Sequence, residues 1–150
     1  MAECGLEDLR LDIAAGTNED LVGESGVAKS TLVNLACRCY EPTRGRVKLG
    51  GRDYRERSKL WLHSRLGYVL QNPHLFSGTV KENIRYGRLD ATDEEIYEAA
   101  RLVSADIVVS KLENGSDTAV GEGGARPSTG EKQPISFARA VLADPPIFVL

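Results

Sequence analysis

Leu9, Leu11 and Ile13 alternate with polar residues, which predicts a half-buried strand over that stretch. Ala15-Gly16-Thr17-Asn18 reads as a turn, and Leu21-Val22 is a short apolar run ahead of a glycine-containing loop from Gly23 to Ala28. From Lys29 the pattern becomes helical, with Leu32, Leu35, Ala36 and Cys39 on one face at spacings of three and four. Pro42, Gly45, Gly50 and Gly51 punctuate the next stretch, around a strand near Arg46–Leu49. Leu66–Leu70 is strand-like and ends at Gln71-Asn72-Pro73. A helix near Thr79–Tyr86 stops at Gly87. Another follows Thr92, where Thr92 and Glu95 fit a capping box and Asp93, Glu94 and Glu95 suit the positive end of the helix dipole. Its apolar stripe is Ile96, Ala99, Ala100 and Val103. The stretch from Gly115 to Gly130 is loop-rich. A last helix over Glu131–Ala143 is stopped by Pro145-Pro146, and Ile147-Phe148-Val149-Leu150 reads as a continuous apolar strand of a buried parallel sheet. Strand, glycine loop and helix, then further strands separated by helices, predict an α/β fold.

Composition narrows the classes. The 150 residues suffice for one domain, and 41% apolar with 27% charged residues is globular composition. The net charge of -3 gives no electrostatic reason to expect a nucleic-acid partner. The tightest basic group, Arg52, Arg55, Arg57 and Lys59, is interleaved with Asp53 and Glu56 and reads as a solvated face. No apolar run approaches the roughly 18 residues of a membrane span, and the N-terminus lacks a secretory pattern. A cytoplasmic location is expected, with any membrane-spanning part on another chain or segment. The three cysteines, Cys4, Cys37 and Cys39, suggest neither a disulfide framework nor a zinc site; helix-buried thiols are expected.

The candidate chemistry centres on Gly23-Glu24-Ser25-Gly26-Val27-Ala28-Lys29-Ser30-Thr31. A strand delivering such a loop to a helix start presents inward-pointing backbone N–H groups, and the helix dipole reinforces the anion-binding hollow. Lys29 would reach the β and γ phosphates of a nucleotide, and the Ser30 hydroxyl would join a Mg²⁺ shell. The strict phosphate-loop pattern has glycine where Ala28 stands. If that position needs positive φ, alanine costs on the order of 1–2 kcal/mol there. Val27 adds a stiff β-branched residue.

These residues, with three later segments, resemble the nucleotide-binding domain of exporter-type ABC transporters. Leu21–Gly26 with Lys29–Leu32 is similar to the family's Walker A segment. Tyr68–Pro73 resembles its Q-loop, and Leu75–Ile84 the exporter sequence that follows. Thr118–Gly124 resembles the loop before the signature, and Pro127-Ser128-Thr129-Gly130-Glu131 the signature itself. The segments stand in the family's order and cover most of residues 8–150. The resemblance implies a P-loop NTPase core with a mainly parallel sheet, over 1–74 and 132–150, and an ABC-type helical subdomain over 75–131. Both would be parts of a single, incomplete domain. It implies ATP and Mg²⁺ as cofactors: residues 23–31 hold the phosphates, while Ser30 and Gln71 serve the metal. Gln71 would also couple the site to a transmembrane domain. Ser128, Thr129, Gly130 and Glu131 would meet the ATP of a second nucleotide-binding domain in a head-to-tail dimer. The chain would then sit peripherally at the membrane, through its transmembrane partner.

Departures from the family pattern matter as much. Asn18-Glu19-Asp20 occupies most of the strand that should precede the loop, so that strand is expected to start late or to leave Asp20 in solvent. Pro127 stands for a leucine, Glu131 for a glutamine, and Pro134 lies inside the last helix, where proline costs about 3 kcal/mol. No N-terminal aromatic matches the one that stacks on adenine. The Asp-Glu pair and the switch histidine that serve hydrolysis in the family have no counterpart in these 150 residues; His63 and His74 do not match the switch. The chain alone is therefore expected not to hydrolyse ATP. Two other readings stay open: a degenerate, non-catalytic remnant that binds a partner without ATP turnover, and a P-loop ATPase of DNA repair, against which the acidic balance counts.

Overall fold

In the computed structural model the described residues are 6–22, 26–70, 72–122 and 127–150; the side chains of Gly26 and Val27 are outside the description. The chain divides into two compact units, one ending at Ser64 and one beginning at Arg65.

The first unit holds helix α1 (Gly26–Ala36), a hairpin of β1 (Lys48–Leu49) and β2 (Arg52–Asp53), a 3-10 turn at Tyr54–Glu56, and the short helix α2 (Lys59–His63). Gly50 and Gly51, at φ 56° and 79°, make the two-residue hairpin turn, whose left-handed backbone glycine adopts without a Cβ penalty. The buried apolar residues described here are Cys37, Tyr54 and Leu62. Arg38, in a left-handed backbone conformation (φ 56°), ties the end of α1 to the 3-10 turn. Its guanidinium donates to the Tyr54 and Arg57 carbonyls at 3.2 and 2.7 Å, pairs with Glu41, and lies 5.4 Å from the centre of the Tyr54 ring.

Several expectations fail in this unit. Leu9, Leu11 and Ile13 form no strand and stay about half exposed. Alternation creates an apolar face, but a strand also needs a neighbour to complete its ladder, and among the described residues 6–22 makes only the Thr17–Ala14 turn hydrogen bonds. Leu21-Val22 likewise forms no strand, with Val22 93% exposed. Asp20 lies in solvent, one of the two outcomes expected there, so no carboxylate is buried. Cys37 and Cys39 lie beyond the end of α1; both are free, Cys37 buried and Cys39 exposed. Burial pushes the Cys37 thiol up, with the neighbouring Cys39 adding to the shift.

The second unit contains β3 (Leu66–Tyr68), β4 (Gly78–Thr79), α3 (Val80–Arg85), α4 (Asp93–Leu102), α5 (Ala105–Val109), a 3-10 turn (Gly115–Asp117), β5 (Ala119–Val120), α6 (Thr129–Leu142) and β6 (Ile147–Val149). Helices α3, α4 and α5 pack around α6. Val80, Ile84, Ile96, Ala105, Val120 and Ile135, each 2% exposed or less, form the centre of the core. Full burial of an aliphatic side chain contributes roughly 1.5–3 kcal/mol. The capping boxes at Thr79/Glu82 and Thr92/Glu95 fix where α3 and α4 begin, the second as its sequence predicts. Gly87 lets two backbones meet: a Cβ there would lie 2.1 Å from the Arg139 carbonyl oxygen of α6.

β3 and β6 pair in parallel, Leu66 against Ile147 through Tyr68 against Val149, while β4 and β5 pair antiparallel. The α/β class and a parallel pairing thus stand. The burial expected for the last strand does not: Phe148 is 46% and Leu150 76% exposed. Among the described residues β6 has β3 as its one neighbouring strand, and the side chains of Phe148 and Leu150 are left largely in solvent. Helix α6 begins at Thr129, earlier than the pattern suggests, and runs unbroken through Pro134. Pro134 deprives the Gly130 carbonyl of its helical donor, but Gly130 is exposed, so water can satisfy that carbonyl.

Candidate nucleotide site

Of the phosphate-loop residues, Gly23, Glu24 and Ser25 lie outside the described residues. Gly26 through Thr31 form the opening turns of α1, with Lys29 and Thr31 half-buried and Ser30 exposed. Ala28 is the third residue of α1 and is not among the residues with positive φ. The condition under which alanine would strain the loop is therefore not met, and in a helix alanine is preferred to glycine by about 1 kcal/mol. The first turn of α1 contains no acidic residue. In α3, α4 and α6, by contrast, Glu82, Glu95 and Glu131 occupy that turn. A carboxylate there satisfies helix N–H groups internally. The donors of α1 expected to meet a phosphate are the Lys29 ammonium and the Ser30 and Thr31 hydroxyls, beside helix amides. That donor set fits a polyphosphate and a hard cation.

The signature residues sit at the start of α6. Pro127 is buried and precedes the N-cap, where a missing N–H costs the helix nothing. Ser128, Thr129 and Gly130 are exposed. The Ser128 N–H and hydroxyl both donate to one carboxylate oxygen of Glu131, at 2.7 and 2.8 Å. These two bonds, the backbone one first, hold the Glu131 carboxyl below its ordinary range. The Glu131 carboxylate thus occupies both donors of Ser128. Gln71 lies outside the described residues, as do Gly123 and Gly124. Leu75 is buried under α3 and Phe76 stands between His74 and Tyr86 in edge-on contacts at 5.4 and 5.0 Å. Among the described residues no group of three or more His, Cys, Asp and Glu side chains could hold a metal ion.

Two residues that the sequence pattern passes over organise this region. Asn83, fully buried, accepts from the Phe76 N–H and donates to the Phe76 and Thr79 carbonyls, at 2.8 to 2.9 Å. Arg139 donates to the backbone carbonyl and side-chain oxygen of Asn83. The available signal was a lone cation in the apolar stretch Ile135–Val141.

The ABC transporter family profile matches residues 6–150. Relatives include an ABC transporter ATP-binding protein of unassigned role, YfiC, from Bacillus subtilis (strain 168), 43% identical over 97% of this chain and 24% of its own length. ABC transporter B family member 21 of Arabidopsis thaliana is 46% identical over 93% of this chain and 11% of its own length. Multidrug resistance protein 1 of Entamoeba histolytica is 44% identical over 97% of this chain and 11% of its own length. The chain belongs to the ABC transporter family, as an ATP-binding domain of the exporter type. It spans about a quarter or less of the length of these relatives. Among the described residues no helix is long and apolar enough to cross a membrane.

Proposed function

We propose that the chain binds MgATP through residues 23–31 and, in response, pairs head to tail with a second nucleotide-binding domain to drive an exporter. The observation that carries this reading is the first turn of α1. It presents Lys29 and Ser30 on a helix start free of acidic residues, in a family whose members bind ATP. Gly23, Glu24, Ser25, Gly26, Val27, Ala28 and Thr31 complete the phosphate hollow, and Ser30 and Gln71 serve Mg²⁺. Ser128, Thr129, Gly130 and Glu131 face the second domain's nucleotide. Residues 1–74 and 132–150 form the nucleotide core and 75–131 the helical subdomain that meets a transmembrane partner, on the cytoplasmic side of the membrane.

A titration with MgATP tests the reading. Lys29→Ala is expected to weaken binding at least tenfold, about 1.4 kcal/mol or more, since it removes a charge-assisted contact. Equal affinity of the two forms would sink the proposal.

The second reading, a remnant with a decayed site, draws on the Glu131 carboxylate seated on Ser128. It predicts that Ala28→Gly creates binding that the natural chain lacks. Because Ala28 is helical, we expect Ala28→Gly to leave affinity unchanged or to lower it.

A further inference from the structure

Arg139 lies in the middle of α6, where its neighbours Ile135, Ala138 and Leu142 are buried. Its Nε donates to the Asn83 carbonyl at 2.8 Å and its two terminal nitrogens to the Asn83 side-chain oxygen at 3.0 Å and the His74 carbonyl at 3.3 Å. The guanidinium carbon stands 5.1 Å from the centre of the Phe76 ring. Burial lowers its pKa, so this charge is held in place at a desolvation cost. None of these partners is a carboxylate. Only a planar fork of several donors can grip two carbonyls and an amide oxygen at once, and lysine cannot reproduce it.

The gripped segment is a defined piece of chain. Asn83 holds Phe76 and Thr79 to α3, and Arg139 holds His74 and Asn83 to α6. His74 lies three residues after Gln71, and α6 is the helix that opens at Ser128. We propose that Arg139 is a positioning residue that locks the chain leaving Gln71 to the signature helix, so that the two move as one body. The lock itself stands on the contacts above. Its consequence, that nucleotide engagement at one of these segments is felt at the other, rests on the function proposed above.

Hydrogen exchange on the full chain tests both. Without nucleotide, Arg139→Lys is expected to speed exchange across residues 72–79 by about tenfold, as the loss of one or two hydrogen bonds implies. Exchange in α4 should not change. With MgATP, the natural chain should show slowed exchange over 72–79, and Arg139→Lys should lose that slowing while keeping its nucleotide affinity. Equal rates over 72–79 in both forms, or equal acceleration over 72–79 and α4, would overturn the lock. A natural chain that binds MgATP without slowing at 72–79 would overturn the coupling. If Arg139→Lys fails to fold, Phe76→Leu decides: it removes the Arg139 ring contact, with the edge-on contacts to His74 and Tyr86, at a half-exposed side chain, and should speed 72–79 selectively by about threefold. Uniform or absent change in that variant overturns the lock. If the natural chain binds no MgATP, the proposed function fails, and the nucleotide-free comparison alone decides the lock.

Discussion

The two units carry different halves of the proposed chemistry on very different foundations. The unit with the phosphate-loop residues buries Cys37, Tyr54 and Leu62, and much of it is tied by polar bonds from Arg38. The unit with the signature residues packs α3, α4 and α5 onto α6 around a continuous apolar core. Burial of apolar surface is the main favourable term in folding, so the second unit has the firmer hold on its own structure. Motif and core are therefore separable: the residues most diagnostic of nucleotide binding are not in the best-packed part of the described chain. In native-state hydrogen exchange, amides of α1 should exchange well before those of α4 and α6. Matching rates would break the comparison.

The largest mutational effect should come from the core of the second unit. Ile135 is fully buried, and Ile135→Ala is expected to cost about 2–5 kcal/mol, read as a lower denaturant midpoint. A cost below about 1 kcal/mol would show that the core around α6 is loose and would erase the contrast. Pro134→Ala comes next and runs the other way. It restores the donor for Gly130 inside α6 and should stabilise by about 1–3 kcal/mol, seen as a raised midpoint with an unchanged slope. No gain would mean that water already satisfies the exposed carbonyl in full.

The smallest effects concern acid. Asp53 in the first unit is lowered to about 2, first by the Arg55 side-chain hydrogen bond and then by the Arg55 backbone N–H. Glu131 in the second is also lowered, by Ser128. A depressed carboxyl contributes stability that is present above its unfolded value, roughly 4 for either residue, and lost as pH falls through the folded value. Both groups are half-buried at the surface, where solvent still screens them, so the loss should be slight. It should follow pH between about 4 and 2 at Asp53 in a side-chain NMR titration. An Asp53 midpoint near 4 would show that Arg55 does not hold it. Glu131→Gln should remove the acid dependence at Ser128 and, on the proposed function, favour nucleotide-driven dimerisation by relieving charge repulsion.

Local chemistry was legible along the chain wherever a short-range rule applied. Thr92 and Glu95 marked the start of α4 because a capping box closes within four residues. Gly87 marked the end of α3, and Pro145-Pro146 the end of α6. Where formation of an element needs a distant partner, the pattern misled. Leu9, Leu11 and Ile13 alternate well enough for a strand, yet among the described residues no ladder partner pairs with them. The apolar run Ile147–Leu150 pairs with β3 as its composition suggests, yet remains open on one side.

The sequence by itself determined the family and the α/β class, because order and spacing of short motifs are one-dimensional facts. Tertiary structure alone decided that Arg139 and Asn83 bind the segment 74–79 to α3 and α6, whereas the Ser128–Glu131 capping box closes within four residues and is readable along the chain. That grip depends on which backbone groups lie within hydrogen-bond reach, and Arg139 is far along the chain from Asn83 and His74. A spacing rule sees only near neighbours, whereas a guanidinium 56 residues from its acceptor is placed by packing.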